Sequence, residues 1–264
     1  MHENTTMVFD NRAGQSAKLA VLIPVRDDKR IHNLLASLRP QINDQVHVIV
    51  INDKQPESFI KELPVPIHGA ILHHREPCKL SEKINMLWDF AQAEWLAVLE
   101  SDAILHRDWV RDVFHIMEQG DEKSVHLGGE LFEKTLNLNN SIFKKDDDYF
   151  PRHADQTCYA NDTAWFMECE HRGIPLVKHR FEAIVFHDTI LNTQPYRIGR
   201  LFRHMQDFGY LAAAYPKAGM IKRRILAEGY WLFRGICCTP VFLFFAVYYK
   251  IKNWLIRTTS SSSS

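Results

Sequence analysis

Residues 18–27 read KLAVLIPVRD, an unbroken apolar run that ends in two charged residues. A strand with one solvated face alternates apolar and polar side chains, whereas a run without alternation is typical of a strand buried on both faces. Strands of that kind lie at the centre of parallel sheets. We therefore predict that this segment is a central parallel strand.

The segments after this strand alternate between helical and extended patterns. Apolar residues recur at helical spacing in two stretches, 31–38 and 80–91. Apolar or β-branched runs predict strands at 45–54, 70–73 and 95–105. This alternation predicts an α/β protein with an open, mostly parallel sheet and helices on both faces.

The charge balance argues against one class of partner. Thirty-two Lys and Arg residues oppose 32 Asp and Glu residues, so the formal net charge is +0. Because general binding to nucleic acid depends on an excess of positive charge, we expect no nucleic-acid partner. The five cysteines form no C-x-x-C pair and the first twenty residues lack an apolar signal region, so we expect reduced thiols and a cytoplasmic location.

Acidic residues follow three of the predicted strands at their carboxyl ends. They are Asp27 with Asp28, then Asp53, and then Glu100 with Asp102. Ligands of open parallel sheets bind outside the carboxyl ends of the strands. Hard oxygen ligands suit Mg²⁺ or Mn²⁺, so this edge is a candidate for a metal-dependent site.

The periodic pattern loosens after the helix expected around 109–117. Residues 126–151 are predicted to form a long loop over the ligand site. A helix is then predicted from about Thr163 to a C-cap at Gly173. Two short strands follow, IPLVK and EAIVFHD, and the second ends in His187 and an aspartate.

The last third of the chain contains an apolar segment between basic residues. Residues 235–249 carry no charge, and Arg234 and Lys250 flank them. Fifteen uncharged residues are fewer than the about 20 that a membrane-spanning helix needs. The flanking Lys, Arg, Trp and Tyr side chains favour a helix in the membrane interface, and a spanning or re-entrant helix and a buried core or oligomer helix are the alternatives.

The order of these motifs resembles the family 2 glycosyltransferases, which have the GT-A fold. VLIPVRD stands at the family's first strand, VIVINDK where the family usually has V-V-D-D-G-S, and ESDAIL in place of its D-x-D motif. LSEKIN and the Glu94-Trp95 pair resemble the helix and the G-E-Y that precede that motif. NDTAWFMECEHRG is similar to the segment with the catalytic base, and FEAIVFHD to the strand whose terminal His closes the site. The resemblance covers roughly residues 18–205.

The resemblance implies a role for each residue that matches a motif. Asp162 would be the base that takes the acceptor's proton in an inverting transfer. Asp102 and His187 would hold Mn²⁺ or Mg²⁺, and Asp53 would contact the nucleobase. The full set of nucleotide-sugar contacts would be Pro24, Val25, Asp27, Asp53, Lys83, Asn85, Glu100 and Ser101. Asn52 and Lys54 replace the family's usual Asp and Gly, which leaves the identity of the base open.

Three arginines follow the His187 strand at helical spacing. Arg197, Arg200 and Arg203 would form one side of a helix. They would contact the diphosphate or an anionic acceptor, or alternatively form a solvated face.

These features together predict a metal-dependent hexosyltransferase. Its donor would be a nucleoside-diphosphate sugar, with a UDP-sugar favoured, and its acceptor a hydroxyl of a lipid-linked molecule or cell-surface glycan. The enzyme would be peripherally associated with the inner face of the cell membrane. One alternative is a sugar-nucleotide nucleotidyltransferase, but the Gly-rich loop usual in that class is missing from PVRDDKR. The other is an inactive sugar-nucleotide-binding membrane scaffold, but such a protein would be expected to lack the base, and Asp162 is present.

The same pattern predicts the organisation of the chain. We expect an N-terminal extension at 1–17 and a catalytic domain at 18–205, with a nucleotide-binding half at 18–105 and an acceptor-binding half at 106–205. A membrane-interfacial helical segment would occupy 206–257. The Ser-rich residues 258–264 would be a disordered tail.

Overall fold

The computed structural model divides the chain into two compact units. Unit 1 comprises Met1–His153 and Ile174–Thr193, and unit 2 comprises Ala154–Gly173 and Gln194–Ser264. The residues that the structure describes are 4–12, 14, 16–25, 28–53, 63, 68–128, 139–153, 161–179, 206–207, 209–215, 243–245 and 247–252.

Eight strands of the described residues form one sheet in unit 1. They are β1 (Thr5–Asp10), β2 (Ala17–Val25), β3 (Val46–Asp53), β4 (Gly69–His74), β5 (Ala93–Val98), β6 (Val125–Gly128), β7 (Ser141–Lys144) and β8 (Leu176–His179). Their order across the sheet is β1-β4-β3-β2-β5-β7-β6-β8. β2 runs parallel to both β3 and β5, and β3 runs parallel to β4, which confirms the predicted parallel centre.

Three α-helices among the described residues of unit 1 cover this sheet, and all three were predicted. They are α1 (Ile31–Leu38), which continues into a 3₁₀ turn at Arg39–Gln41, α2 (Leu80–Phe90) and α3 (Trp109–Gln119). At the start of α2, the Glu82 carboxylate accepts a hydrogen bond from the Lys79 backbone N–H at 2.5 Å. That bond satisfies one of the backbone donors left without a partner at a helix N-terminus.

The hydrophobic core explains why the central strands carry no polar alternation. All eight residues of β3 are buried, and so are all those of β2 except Lys18. Leu19, Val21 and Ile23 pack on the side of the sheet that also buries α1 and Trp109 of α3. Covering both faces of β2 and β3 removes their side chains from water, which stabilises the fold by about 1.5–3 kcal/mol for each large apolar residue.

One sequence expectation is corrected in unit 1, and one strand lies where none was predicted. Residues 126–151 do not form one long loop, because β6 and β7 lie within or at the edge of that stretch and pair antiparallel with each other. Both strands have only four residues, too few to show a period. In addition, β1 lies within residues 1–17, the expected extension, and pairs antiparallel with β4 at the edge of the sheet. Only Thr5 of its six residues is buried, and TTMVFD contains no long apolar run.

Unit 2 contains α4 (Asn161–His171), which begins two residues before the expected start. It ends at His171, and Gly173, two residues further on, has a positive φ of 74°, as a C-cap glycine requires. Residues 209–214 and, separately, 243–245 and 247–252 are helical. Among the helices that the structure describes, none has both the length and the hydropathy needed to cross a membrane. The predicted strand EAIVFHD and most of 206–257 lie outside the described residues.

Candidate active site

Two carboxylates share one guanidinium beyond the carboxyl ends of β2 and β5. Asp28 accepts hydrogen bonds from Arg30 Nε and Nη2, both at 2.8 Å, and a third at 2.9 Å from Ser101 Oγ. Arg30 Nη1 also lies 3.4 Å from Asp102 Oδ2. Burial raises the pKa of Asp28, but the hydrogen bonds from Arg30 and Ser101 outweigh it and hold that pKa below its usual value.

Backbone hydrogen bonds fix the turn that carries Asp102. Leu99 N–H donates to Leu22 O at 3.0 Å, which extends the pairing of β5 with β2 beyond the strand itself. Glu100 N–H donates to Asn139 Oδ1 at 3.0 Å, and Ala103 N–H donates to Glu100 O at 3.1 Å. The turn therefore holds Asp102 buried, at 8% exposure, beside the end of β2.

This cluster offers oxygen ligands of the kind that hard cations prefer. Asp28 and Asp102 are acceptor-only carboxylates when ionised. Within the described residues, no three His, Cys, Asp or Glu side chains are grouped so that they could hold a metal ion. The other expected ligand, His187, lies outside the described residues.

A buried ion pair joins the ends of β2 and β3 to α2. Lys83 Nζ donates to Asp53 Oδ1 at 3.0 Å and to Val25 O at 2.9 Å. The other Asp53 oxygen accepts a hydrogen bond from Cys78 N–H at 3.0 Å. Asp53 is 0% exposed and Lys83 4%, so the pair is shielded from water. In this structure the Asp53 carboxylate holds the Lys83 side chain and the backbone at Cys78, just before α2, in place.

Asn85 of α2 forms a second link to the protein backbone. Its Nδ2 donates to His153 O at 2.9 Å, and its Oδ1 accepts from His153 N–H at 3.0 Å. Burial, followed by the positive charge of Arg152, lowers the pKa of the His153 imidazole to about 3. Asn85 thus holds a buried, neutral histidine in place.

Asp162 lies in unit 2, in the first turn of α4. Its Oδ1 accepts a hydrogen bond from Thr163 N–H at 2.7 Å and another from Thr163 Oγ1 at 3.3 Å. A carboxylate is favourable at this end of a helix because the first backbone N–H groups and the helix dipole are positive there.

Apart from Asn85 and Asp162, the predicted site residues lie in two clusters, beside those clusters, or outside the described residues. Ser101 and Asp102 meet at the Asp28–Arg30 cluster, and Val25, Asp53 and Lys83 meet at the ion pair. Pro24 lies in β2, next to Val25, and Glu100 lies at the start of the turn. Five lie outside the described residues: Asp27, His187, Arg197, Arg200 and Arg203.

Arg30 is the site residue that the sequence analysis did not single out. It precedes α1, and nothing in the sequence says that its side chain turns back to Asp28 rather than into solvent. The short spacing of an Asp and an Arg on a turn after a buried strand was the one available signal.

Comparison with solved structures gives the fold class. The chain matches the S. aureus TarS 1-349 structure with a TM-score of 0.53 and 17% identity, over 84% of this chain and 81% of that one. It matches mannosyltransferase PcManGT from Pyrobaculum calidifontis, in complex with GDP-Man and Mn²⁺, with a TM-score of 0.61 and 12% identity, over 97% and 83%. For glucosyl-3-phosphoglycerate synthase from Mycobacterium tuberculosis, with Mg²⁺ and UDP, the TM-score is 0.59 and the identity 12%, over 78% and 81%. The chain spans 49% of a longer TarS chain.

The sheet order and the acidic residues at its carboxyl edge thus define a protein of the GT-A glycosyltransferase fold. The model of glycosyl transferase family 2 matches residues 20–157, just over half of the chain, and the chain belongs to this family. Among curated protein sequences, no significant match was found.

Proposed function

We propose that this protein is an inverting, metal-dependent glycosyltransferase that moves a hexose from a nucleoside-diphosphate sugar to an acceptor hydroxyl. The observation that carries the proposal is the pair of carboxylates, Asp28 and Asp102, beyond the parallel strands β2 and β5 of a family 2 chain. Ligands of open α/β sheets bind at that edge.

The donor class is supported by the molecules bound to proteins of similar fold. TarS has been solved with UDP-GlcNAc, PcManGT with GDP-Man and Mn²⁺, and glucosyl-3-phosphoglycerate synthase with Mg²⁺ and UDP. The nucleotide or nucleotide sugar in each of these three structures contains a diphosphate. We propose a UDP-sugar as the donor for this chain, with Pro24, Val25 and Lys83 beside the nucleotide.

The negative charge of the leaving diphosphate explains why the transfer would need a metal ion. A bound Mn²⁺ or Mg²⁺ neutralises negative charge that grows on the leaving group during transfer. Asp102 would hold the ion, with His187 as a second ligand and Glu100 near the ribose or the outer coordination shell. Asp27, Arg197, Arg200 and Arg203 complete the proposed contacts to the donor or an anionic acceptor.

Asp162 is proposed as the general base. A carboxylate that takes the acceptor hydroxyl's proton makes its oxygen a better nucleophile as it attacks the anomeric carbon. Asp162 lies in the first turn of α4. Asp162 would then carry the proton after transfer.

The acceptor is proposed to be lipid-linked or part of a cell-surface glycan, reached from the cytoplasmic face of the membrane. The support comes from the helical residues near the carboxyl end, where apolar side chains are exposed on one face: Leu243, Phe244, Val247, Tyr248 and Ile251. Lys250 and Lys252 lie among the helical residues 247–252 and would be attracted to anionic lipid.

The proposal is tested by a panel of nucleotide sugars incubated with the full-length protein and Mn²⁺. We expect slow hydrolysis of at least one nucleoside-diphosphate sugar and its loss with excess chelator. Asp162→Asn should bind the donor normally and lose turnover by about 10²–10⁴, the usual effect of removing a general base. Asp148→Asn, which changes an exposed carboxylate outside the site, is the matched control.

The same panel separates the alternatives. Formation of a sugar nucleotide and pyrophosphate from a nucleoside triphosphate and a sugar phosphate would identify a nucleotidyltransferase. Donor binding without hydrolysis or transfer in any member of the panel would identify the inactive scaffold. Full activity in excess chelator would contradict the proposed requirement for a divalent metal ion.

A further inference from the structure

Arg30 lies where a cation at Asp102 would be expected to bind. Its guanidinium contacts both carboxylates of the cluster, through Asp28 on one side and Asp102 on the other. We propose that Arg30 is the resident counter-ion of Asp102, and that a divalent cation binds Asp102 in competition with it. This inference rests on the proposed metal-dependent function.

The two contacts of Arg30 differ in strength. With Asp28 it forms two parallel hydrogen bonds at 2.8 Å, and its backbone N–H adds a third at 3.1 Å. Ser101 Oγ also donates a hydrogen bond to Asp28 Oδ2, at 2.9 Å. With Asp102 it has one ion-pair contact at 3.4 Å. Paired, short bonds are stronger and more directional than a single long one, so the Asp102 contact is the one released first.

A positive group beside Asp102 offsets the repulsion between the two carboxylates of the cluster. The side chains of Asp28 and Asp102 are only 18% and 9% exposed, so water screens their mutual repulsion poorly. Arg30 supplies one positive charge to the two carboxylates. A divalent cation would supply two, but it would have to approach a guanidinium that is anchored on Asp28 beside it.

The competition has a measurable consequence for the free protein. An ion that binds Asp102 must displace the Arg30 contact and remain near its charge, and both effects weaken binding. Removing the guanidinium therefore strengthens cation binding, even though it removes a contact from the site. A residue with a purely structural function would have the opposite effect or none.

The test measures Mn²⁺ affinity by electron paramagnetic resonance of the free ion, with the full-length protein and no nucleotide. Arg30→Gln should lower the Kd for Mn²⁺ by about tenfold. Arg30→Lys keeps the charge, but one ammonium cannot bridge both carboxylates as a guanidinium does, so a smaller decrease, about threefold, is expected. Arg107→Gln removes an arginine whose side chain is 87% exposed and paired with Asp108, and it should leave the Kd unchanged.

Each outcome separates the inference from the proposed function. Asp102→Asn should lose Mn²⁺ binding in every background. If it does, and neither Arg30→Gln nor Arg30→Lys tightens binding, the counter-ion inference is wrong and the metal ligand stands. If Asp102→Asn binds Mn²⁺ as tightly as the unmodified protein, the proposed ligand is wrong and the inference falls with it. Circular dichroism checks that each variant is folded. If Arg30→Gln does not fold, the Mn²⁺ affinity of Arg30→Lys, the milder change, tests the counter-ion inference.

Discussion

Lys83 and Asp53 bring opposite charges together where almost no water reaches either group. Their separation is 3.0 Å, and their side chains are 5% and 0% exposed. Removing one partner of a buried pair leaves an uncompensated charge, which costs far more than the pair itself contributes.

We therefore expect Lys83→Met to lower the free energy of unfolding by about 3–5 kcal/mol. The double variant Asp53→Asn with Lys83→Met should recover part of that loss, because it removes the isolated carboxylate as well. Urea unfolding of both variants measures the effect, with Lys18→Met, an exposed lysine on β2, as the control. A loss below about 1 kcal/mol for Lys83→Met would show that water reaches Asp53.

His153 makes stability depend on pH. Its pKa is about 3 in the folded protein, mainly because of burial, and near 6.5 when the chain is unfolded. Protonation therefore favours the unfolded chain, and the stability that is complete above about pH 6.5 is lost as pH falls toward the folded pKa.

Between pH 7 and pH 5 this histidine should account for a loss of about 2 kcal/mol in the free energy of unfolding, since each pKa unit corresponds to about 1.4 kcal/mol. Urea unfolding at the two pH values should show a smaller loss for His153→Gln than for the unmodified protein. His115→Gln, on the exposed face of α3, should retain the full pH dependence. Equal losses in all three proteins would mean that other groups dominate.

At the scale of elements, two glycines end helices for different reasons. Gly173, after α4, has a φ of +74° and open space around its Cα, so an added Cβ meets strain in the backbone alone. Gly120, after α3, has an ordinary φ of −79°. A Cβ there would lie 2.6 Å from both His126 Cε1 and Ile116 O.

These differences predict the order of two substitutions. Gly173→Ala should cost about 1 kcal/mol from its left-handed backbone. Gly120→Ala should cost about 2–3 kcal/mol, because His126 is held in a 2.8 Å hydrogen bond with His179 and cannot move freely. Urea unfolding followed by circular dichroism compares the two, and a larger loss at Gly173 would contradict the steric argument.

The same scale shows what sequence could predict. β2, β3 and α3 were predicted because a long apolar run or a full helical period specifies burial by itself. β6 and β7 were not, since a four-residue strand acquires its identity from its neighbours: β7 is a strand because β5 and β6 lie beside it. The site followed the same division. Asp102 could be identified from its place after a buried strand, but the partners Asp53 and Lys83 are thirty residues apart and meet only once α2 packs on the sheet.

At the scale of the whole molecule, the charge balance implies that any membrane affinity comes from a local surface, and the candidate is the helical residues 243–245 and 247–252. The formal net charge is +0, so no general electrostatic attraction brings the protein to an anionic membrane. Any affinity for lipid must then come from a local surface. Of the large apolar side chains that are exposed in the described residues, most lie at 243–251.

We expect that surface to bind anionic liposomes. Burying apolar area contributes about 25 cal/mol for each Å², and each lysine near an anionic leaflet adds about 1 kcal/mol, so Phe244 and its neighbours with Lys250 would supply several kcal/mol together. Sedimentation with phosphatidylglycerol vesicles should carry the full-length protein down, and the double variant Phe244→Asp with Ile251→Asp should stay in solution. Val8→Asp, which changes an exposed apolar residue on β1, should sediment like the unmodified protein. The contrary result is that the unmodified protein does not sediment with the vesicles, while light scattering shows it as an oligomer and the double variant as a monomer. The surface would then be a contact between copies of the chain. The proposal of a lipid-linked acceptor would lose its support.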